Sequence, residues 1–394
     1  MLSFDEAIVL LAENIRPLGA ETVALEQSAG RFLAEDLRAR SDAPRTDVAI
    51  MDGYAVLRAA AAADDSLSVI GEARPGAPYK GRLEAGEAVR IFTGAAIPDG
   101  ADCVIMQEHA VRDGKKVTFA SGHGPARHIR KAASDFRAGE VLLTSGTRLN
   151  PSVLVTGSAA DRARVMVARR PRVAIIATGD ELTPPGEASL TDSGIPDSVS
   201  YAIAALCEQS GAEVVSRLRC GDNLSDLAKY ADEAVTEADC IIVTGGASVG
   251  DHDLARPMFS ETGLNLVFSK LAIKPGRPVW FGLSGSKPVL GLPGNPTSAM
   301  VTARLFLRPL LSALQGGEIA HELEFVRLNL ASPLPETGNR ETFVRAFWSP
   351  AGLMPIGNQQ SGAQAPLATA NWLIRRPAGS AAVAPETSVD ALPF

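Results

Sequence analysis

From Arg172 onward the chain alternates short apolar runs with amphipathic ones, and that alternation narrows the fold classes open to it. RVAIIAT reads as a strand ending at Gly179, residues 199–210 as a helix and EVVSRLR as a strand. Residues 224–236 read as a helix, and CIIVT as a strand ending at Gly245-Gly246. KPVLGL is a further strand, followed by Pro293-Gly294-Asn295-Pro296 and a helix to about residue 314. Repeated strand–loop–helix units predict a parallel sheet with helices on both faces. Ligands on such sheets bind outside the carboxyl ends of the strands, and each polar Gly-rich loop just named lies at such an end.

The chain has 394 residues, too many for one ordinary core, so two to four domains are expected. Ala7, Leu10, Leu11 and Ile15 form a helical stripe near the start. The region 46–138 carries short β-like runs, at 88–92 and 103–106, between Gly, Pro and Asp turns. It reads as a β-rich domain inserted into an elongated N-terminal linker domain made of 1–45 and 139–170. The texture changes at Arg169-Arg170-Pro171, where the α/β domain (171–316) begins. In 317–394 helical periodicity fades and 325–330 and 342–348 read as strands of a C-terminal β domain. The expected fold class is multi-domain α/β plus β: a central three-layer α/β domain, a β-rich insertion and a C-terminal β-barrel-like domain. The Ala-rich stretch 59–63 reads as a surface helix or loop.

A formal net charge of −7 argues against non-specific nucleic-acid binding, which needs clustered Lys and Arg. A local basic pocket for a small anion remains compatible with it. Asp5 and Glu6 stand where a signal peptide would be basic, and no apolar stretch reaches the roughly 18 residues of a membrane span. Cys103, Cys207, Cys220 and Cys240 form no CxxC pair and have no His at zinc spacing. Buried, reduced thiols are expected, which fits a cytoplasmic location.

Four loops of the α/β region carry chemistry-bearing residues. TGDEL (178–182) offers Asp180 and Glu181 to a divalent ion, although Asp180 serves equally as a turn cap. TGGASVGDHD (244–253) has Gly245, Gly246 and Gly250 to bring backbone N–H groups to a phosphate, with Ser248 in the loop and Asp251 and Asp253 beyond it. It is neither a Walker A loop nor GxGxxG. KLAIKPGRP (270–278) gathers Lys270, Lys274 and Arg277 for an oxyanion, or as a solvated charge run. GLPGNPTSA (291–299) leads into a helix whose N-terminus suits an anion, or is simply capped by Asn295 or Thr297. In the β-rich region Asp52 sits in an Asp-Gly turn and Thr93 precedes Gly94, and hairpin chemistry explains both. The five histidines are scattered and show no Ser/His/Asp pattern; His252 alone stands between two acids.

MDGYAV, TGAAIPDGADCVIMQE, ATGDEL, GGASVGDHD, LAIKPGRPV and GLPGNPTSA occur together in this order. In this the chain resembles the molybdopterin molybdenumtransferases, the MoeA and gephyrin E-domain family, over nearly its whole length. The resemblance implies a MogA/MoaB-like α/β domain within a four-domain subunit, an elongated homodimer, and insertion of molybdate into adenylylated molybdopterin with release of AMP. It also implies Mg²⁺ or a similar divalent ion as cofactor, with molybdate as substrate. Carried over by motif, Glu181, Asp222, Asp251 and Asp253 become metal ligands. Asp52, Thr93, Asp135, Lys270 and Lys274 become catalytic residues, the first two offered to a partner subunit's α/β domain. Arg130, Gly245, Gly246, Ser248, Arg277, Pro293, Pro296, Ser298, Arg340 and Ser361 become substrate contacts. Molybdopterin adenylyltransferase and molybdoenzyme chaperones are further implied partners; nucleic acid and membrane are not. The chain departs from the family at Val48 and Ala49, where Asn-Ser is usual, and at Val199, where Asp-Ser-Asn is usual. Ala133 and Ser134 replace the usual Gly and acid of the Arg-rich turn. The alternatives are an enzyme resembling the adenylyltransferases and a non-catalytic cofactor-binding scaffold of the same fold.

Overall fold

The computed structural model describes residues 1–61, 66–121, 124–190, 192–245 and 254–394; Ala62 and Ala63 of the Ala-rich stretch lie outside these. At the centre is a six-stranded sheet. Its spatial order is Glu213–Cys220, Arg172–Thr178, Cys240–Thr244, Lys287–Leu292, Trp280–Ser284, Leu264–Ser269. The first four strands are parallel, as their alternation with helices predicts. The last two run antiparallel and make the sheet mixed, which the sequence pattern does not reveal. Leu264–Ser269 is an edge strand with a broken burial pattern, so neither a strict alternation nor a continuous apolar run marks it.

Parallel strands covered on both faces must be apolar at almost every position. Arg172–Thr178 is buried from Val173 onward, and Cys240–Thr244 throughout. Alternate residues divide between the two faces. Val173, Ile175 and Ile242 pack with Ile203 and Cys207 of helix Val199–Gln209 and with Leu310 and Leu314 of helix Arg308–Leu314. Ala174, Ile176, Ile241 and Val243 pack with Leu227, Ala231 and Ala234 of helix Leu224–Glu237. The helix–sheet–helix layering follows from that division.

The N-terminal helix Phe4–Asn14 opens with a capping box between Ser3 and Glu6 and buries Phe4, Ala7 and Leu11. Phe4 meets Phe306 of the α/β layer edge-on at 5.7 Å and Phe343 of the C-terminal sheet at 5.2 Å. One aromatic side chain therefore joins three parts of the molecule. That C-terminal sheet is ordered Ile273–Lys274, Glu341–Ser349, Trp372–Arg376, Ser388–Pro393, Val326–Asn329, so its first strand comes from the α/β region. A third six-stranded sheet lies within residues 53–119. On either side of that excursion Ala20–Ala24 pairs with Arg164–Ala168, and Leu37–Arg38 with Val141–Leu143.

Two local details bear on later sections. Trp280 stands opposite Gly291 in the antiparallel register, 1% exposed, and a Cβ on Gly291 would come 2.0 Å from its indole. The four cysteines are buried and unbonded, and burial pushes the Cys207 thiol up to about 12, which keeps it protonated and inert.

The chain enters the central sheet through one polar contact. Arg169 donates two hydrogen bonds of 2.9 Å to Asp239, whose Oδ2 also accepts from the Arg172 amide at 2.9 Å. Burial by itself would raise the Asp239 pKa. The hydrogen bonds from Arg169 and the Arg172 amide, with the Arg169 and Lys287 charges, outweigh it and hold the carboxyl below its ordinary value of 3.8. A depressed carboxylate stabilises the fold above its unfolded pKa, and the gain is lost as pH falls through the folded value. Asp239→Asn is therefore expected to cost about 2 kcal/mol at neutral pH. Denaturant titrations along a pH series should show the gap to wild type closing below pH 3.8; a gap independent of pH would refute the assignment.

Candidate functional site

The four parallel strands end along one edge, at Thr178, Cys220, Thr244 and Leu292. The antiparallel pair brings other residues to that edge. Trp280 opposite Gly291 puts the start of one strand there, and Ser269 opposite Trp280 puts the end of the other there. A cavity of about 640 Å³ opens at this edge, lined among others by Glu181, Asp222, Gly245, Lys270, Arg277 and Pro296. Strand order sorts their charge. Asp222 and Glu181 follow the two strands at one side, and Lys270 and Arg277 flank the antiparallel pair at the other. Gly245, Pro293 and Gly294 lie between.

On the acidic side the loop after Arg172–Thr178 divides its two carboxylates. Asp180 Oδ1 accepts the Asp222 amide at 2.9 Å, so Asp180 is the turn cap and sets the position of Asp222 across the neighbouring strand end. The Glu181 carboxylate folds back over its own strand end, where a Cβ on Gly179 would stand 2.7 Å from Oε2. Asp197 also lines the cavity and is 5% exposed, its carboxylate taken up by the Ser200 amide at 3.1 Å and the Ser200 hydroxyl. Val199, the family departure, begins the next helix and lines the cavity as an apolar surface.

The floor is backbone. Gly245 has φ +89°, and a Cβ there would lie 2.4 Å from the Thr178 carbonyl oxygen. Only glycine gives that conformation and that approach together. The Thr178 hydroxyl, on the same lining, is buried and has no hydrogen-bond partner among the described residues. A buried orphan of this kind at a cavity wall is a ready contact for a polar ligand atom.

On the basic side Lys270 has φ +59°, a left-handed conformation that costs a non-glycine residue roughly 1 to 2 kcal/mol. Two backbone bonds hold it so, Lys270 N–H to Val279 O at 3.2 Å and Leu271 N–H to Arg277 O at 2.9 Å. They close residues 270–279 into a loop from which both Lys270 and Arg277 line the cavity.

Beyond the glycine floor begins helix Pro296–Thr302. The Asn295 side chain does not cap it, and the Thr297 hydroxyl turns away to donate to the Ala363 carbonyl at 2.7 Å. The Thr297 amide donates to the Ser361 carbonyl at 3.2 Å. The Ser361 carbonyl thus meets the helix start, the Ser298 carbonyl accepts the Thr302 hydroxyl at 2.7 Å, and the neighbouring Gly362 and Gln364 line the cavity. A residue the sequence reading passes over organises this contact. Arg345, 1% exposed, donates to Thr297 Oγ1 at 3.1 Å and to the carbonyls of Asn358 at 2.9 Å and Gln360 at 3.3 Å. Its signal was a charged residue inside a mostly apolar strand, TFVRAF, three residues before the exposed Trp348.

Other expected site residues lie elsewhere. Lys274 and Arg340 line a second cavity of about 490 Å³. Asp52 accepts the Thr93 amide and hydroxyl, both at 2.8 Å, and these bonds hold its carboxyl below the usual range. Neither residue lines the 640 Å³ cavity of its own chain. Arg130 and Asp135 pair with each other at 3.4 Å on the surface. Gly246, Ser248, Asp251, His252 and Asp253 lie outside the described residues, as does His123. The described histidines, His109, His128 and His321, are not on the cavity lining.

Mg²⁺ binds through one or two carboxylates completed by ligand oxygens and water. Glu181 and Asp222, on adjacent strand ends of one cavity, fit that habit. Among the described residues no group of three or more His, Cys, Asp or Glu stands ready to cage an ion without such help.

Known proteins share this architecture. The MoeA N-terminal region (domains I and II) matches residues 2–160, a probable molybdopterin binding domain matches 174–313, and the MoeA C-terminal region (domain IV) matches 327–394. A molybdopterin molybdenumtransferase of Nostoc sp. is 36% identical over 332 residues, covering 82% of this chain and 76% of the relative. One from Staphylococcus epidermidis is 30% identical and covers 96% and 92%. The crystal structure of the molybdopterin biosynthesis MoeA protein from Pyrococcus horikoshii superposes with a TM-score of 0.87 at 29% identity, over the full length of both chains. With its fold matched from end to end and its sequence related to these enzymes across most of its length, the chain belongs to the MoeA family of molybdopterin molybdenumtransferases.

Proposed function

We propose that the chain inserts molybdate into adenylylated molybdopterin, releasing AMP. One observation carries the reading: three carboxylates, Glu181, Asp197 and Asp222, and two cations, Lys270 and Arg277, from segments remote in sequence, line a single cavity at the carboxyl edge of the sheet. The reaction breaks a phosphoanhydride. A water oxygen bonds to phosphorus and gives up a proton to solvent, the bridging P–O bond breaks, and negative charge grows on the departing phosphate. Lys270 and Arg277 stand where they can neutralise that charge, and the backbone floor at Gly245 lets a phosphate approach closely. Molybdate, a tetrahedral dianion, wants the same kind of cationic grip. Glu181 and Asp222 would hold Mg²⁺, which supplies further charge neutralisation on phosphate oxygens.

Asp52 and Thr93 enter this reading through a second copy of the chain. They are bonded to each other beside Ile50 and Met51, which are 44% and 42% exposed and form an apolar rim suited to burial against another surface. A homodimer that carries this rim over the partner's cavity completes the site. Among the described residues no helix is long and apolar enough to cross a membrane, and the proposed setting is the cytoplasm.

Lys270→Ala and Glu181→Gln are each expected to lower molybdate-dependent AMP release by about a hundredfold or more while the far-ultraviolet circular dichroism stays unchanged. Wild-type turnover in both would overturn the site. EDTA should stop AMP release and added Mg²⁺ restore it; full activity after exhaustive chelation would remove the metal from the reading. Mixing unfolded and co-refolded Asp52→Ala and Glu181→Gln chains should recover activity that neither has alone, because a mixed dimer holds one intact site. No recovery in verified mixed dimers would place Asp52 in its own chain's site or outside catalysis.

A further inference from the structure

One cation of the β-rich region sits behind Asp52 and pairs with no carboxylate among the described residues. Arg90 lies on strand Glu87–Ile91, directly opposite Tyr54 of strand Gly53–Val56 in an antiparallel register. On its other side stands Glu72, but that carboxylate is taken by Arg74 at 2.5 Å. Opposed residues share a face, which brings the Arg90 guanidinium and the phenol ring together. Its Cζ lies 5.3 Å from the centre of the Tyr54 ring and 4.6 Å from that of Phe92. Tyr54 is 5% exposed and meets Phe119 of the same core edge-on at 6.0 Å. The guanidinium is thus held between two rings, one of them rooted in the core.

Held so, its planar fork reaches two groups. Nη1 donates to the Gly53 carbonyl at 3.0 Å and Nη2 to Gln107 Oε1 at 2.6 Å. The Gln107 amide in turn donates to the Asp52 carbonyl at 3.0 Å. Two consecutive carbonyls, those of Asp52 and Gly53, are therefore tied to a single side chain, one of them through Gln107. The same strand runs on to Thr93, whose amide and hydroxyl both donate to Asp52 Oδ1. Oδ2 accepts no hydrogen bond among the described residues and is the oxygen left to act beyond its own chain. Backbone and carboxylate of Asp52 both take their place from residues 90–93.

We infer that Arg90 is a positioning residue, whose two-pronged grip sets where the Asp52 carboxylate stands when a second copy of the chain brings it over the cavity. This role rests on the reading of Asp52 given above, and Arg90 acts only through that residue. A reacting group displaced by about 1 Å loses on the order of a hundredfold in rate, so a partial loosening of the grip is visible in turnover.

Two substitutions test the role. Arg90→Met keeps an apolar stem between the rings and removes the donors, and Arg90→Lys keeps the charge but replaces the fork by one ammonium. Each should lower kcat for molybdate-dependent AMP release by about tenfold or more. KM for adenylylated molybdopterin should stay within about twofold, because the contacts of the bound substrate are untouched. Thermal unfolding should match wild type. Co-refolded with Glu181→Gln chains, Arg90→Met should recover activity, and co-refolded with Asp52→Ala chains it should not, since no mixed site then holds a placed carboxylate. Should Arg90→Met fail to fold, Arg90→Lys decides alone. Wild-type kcat in Arg90→Lys, a raised KM with unchanged kcat, or recovery with Asp52→Ala chains would each overturn the role of Arg90. Wild-type turnover in Asp52→Ala would instead strike the reading of Asp52, and the role of Arg90 with it.

Discussion

The backbone hydrogen bonds that clamp residues 270–279 are what the rest of the structure depends on. Within the loop, Lys270 and Leu271 donate to Val279 and Arg277. From outside, the Ala272 amide donates to Leu2 at 2.8 Å, just before the N-terminal helix, and the Ala272 carbonyl accepts the Glu341 amide of the C-terminal sheet at 3.0 Å. Each such bond contributes on the order of 1 kcal/mol net, but each becomes a larger penalty if buried and unmade. The loop is thus held from three sides, which is how the chain keeps a lysine in a left-handed conformation at a cavity wall. The same clamp divides three cations between two cavities, Lys270 and Arg277 into one and Lys274 into the other.

Opposite charges gathered in one cavity would ordinarily neutralise each other. Strand order prevents it. From the strand that carries Glu181 to the one that follows Arg277 there are three inter-strand steps, roughly 14 Å at about 4.8 Å per step. A salt bridge needs contact within about 4 Å, so the two sets do not pair with each other. The uncharged floor of Gly245, Pro293 and Gly294 fills the gap, and it is the part of the edge where a ligand meets backbone and not side chains.

The parallel half of the sheet was legible because its strands are buried on both faces and read as unbroken apolar runs, RVAIIAT and CIIVT above all. The antiparallel half was not. Leu264–Ser269 is an edge strand whose residues are mostly exposed or half-buried, and period alone does not separate it from loop. That omission matters for the site, since the antiparallel register is what carries Lys270 and Arg277 to the carboxyl edge. Loop sequence indicated which residues are chemically able, but not which way each faces: Asp180 and Glu181 are neighbours, yet one caps a turn and the other lines the cavity. Arg340 and Arg345 sit five positions apart on one strand approach, and the buried one ties the 358–364 segment to the helix start. Side-chain direction of that kind depends on tertiary packing, which a linear pattern does not carry.

The Trp280–Gly291 pairing has a consequence for how such a chain can drift. The indole fills the space a side chain on the facing strand would occupy, so any larger residue at 291 collides with it and any smaller residue at 280 leaves a void in the sheet. Single replacements at either position are therefore closed, and only a coordinated exchange of bulk between the two strands preserves the packing. Two positions eleven apart in the chain are bound into one inherited unit, directly beneath the edge where the cavity opens.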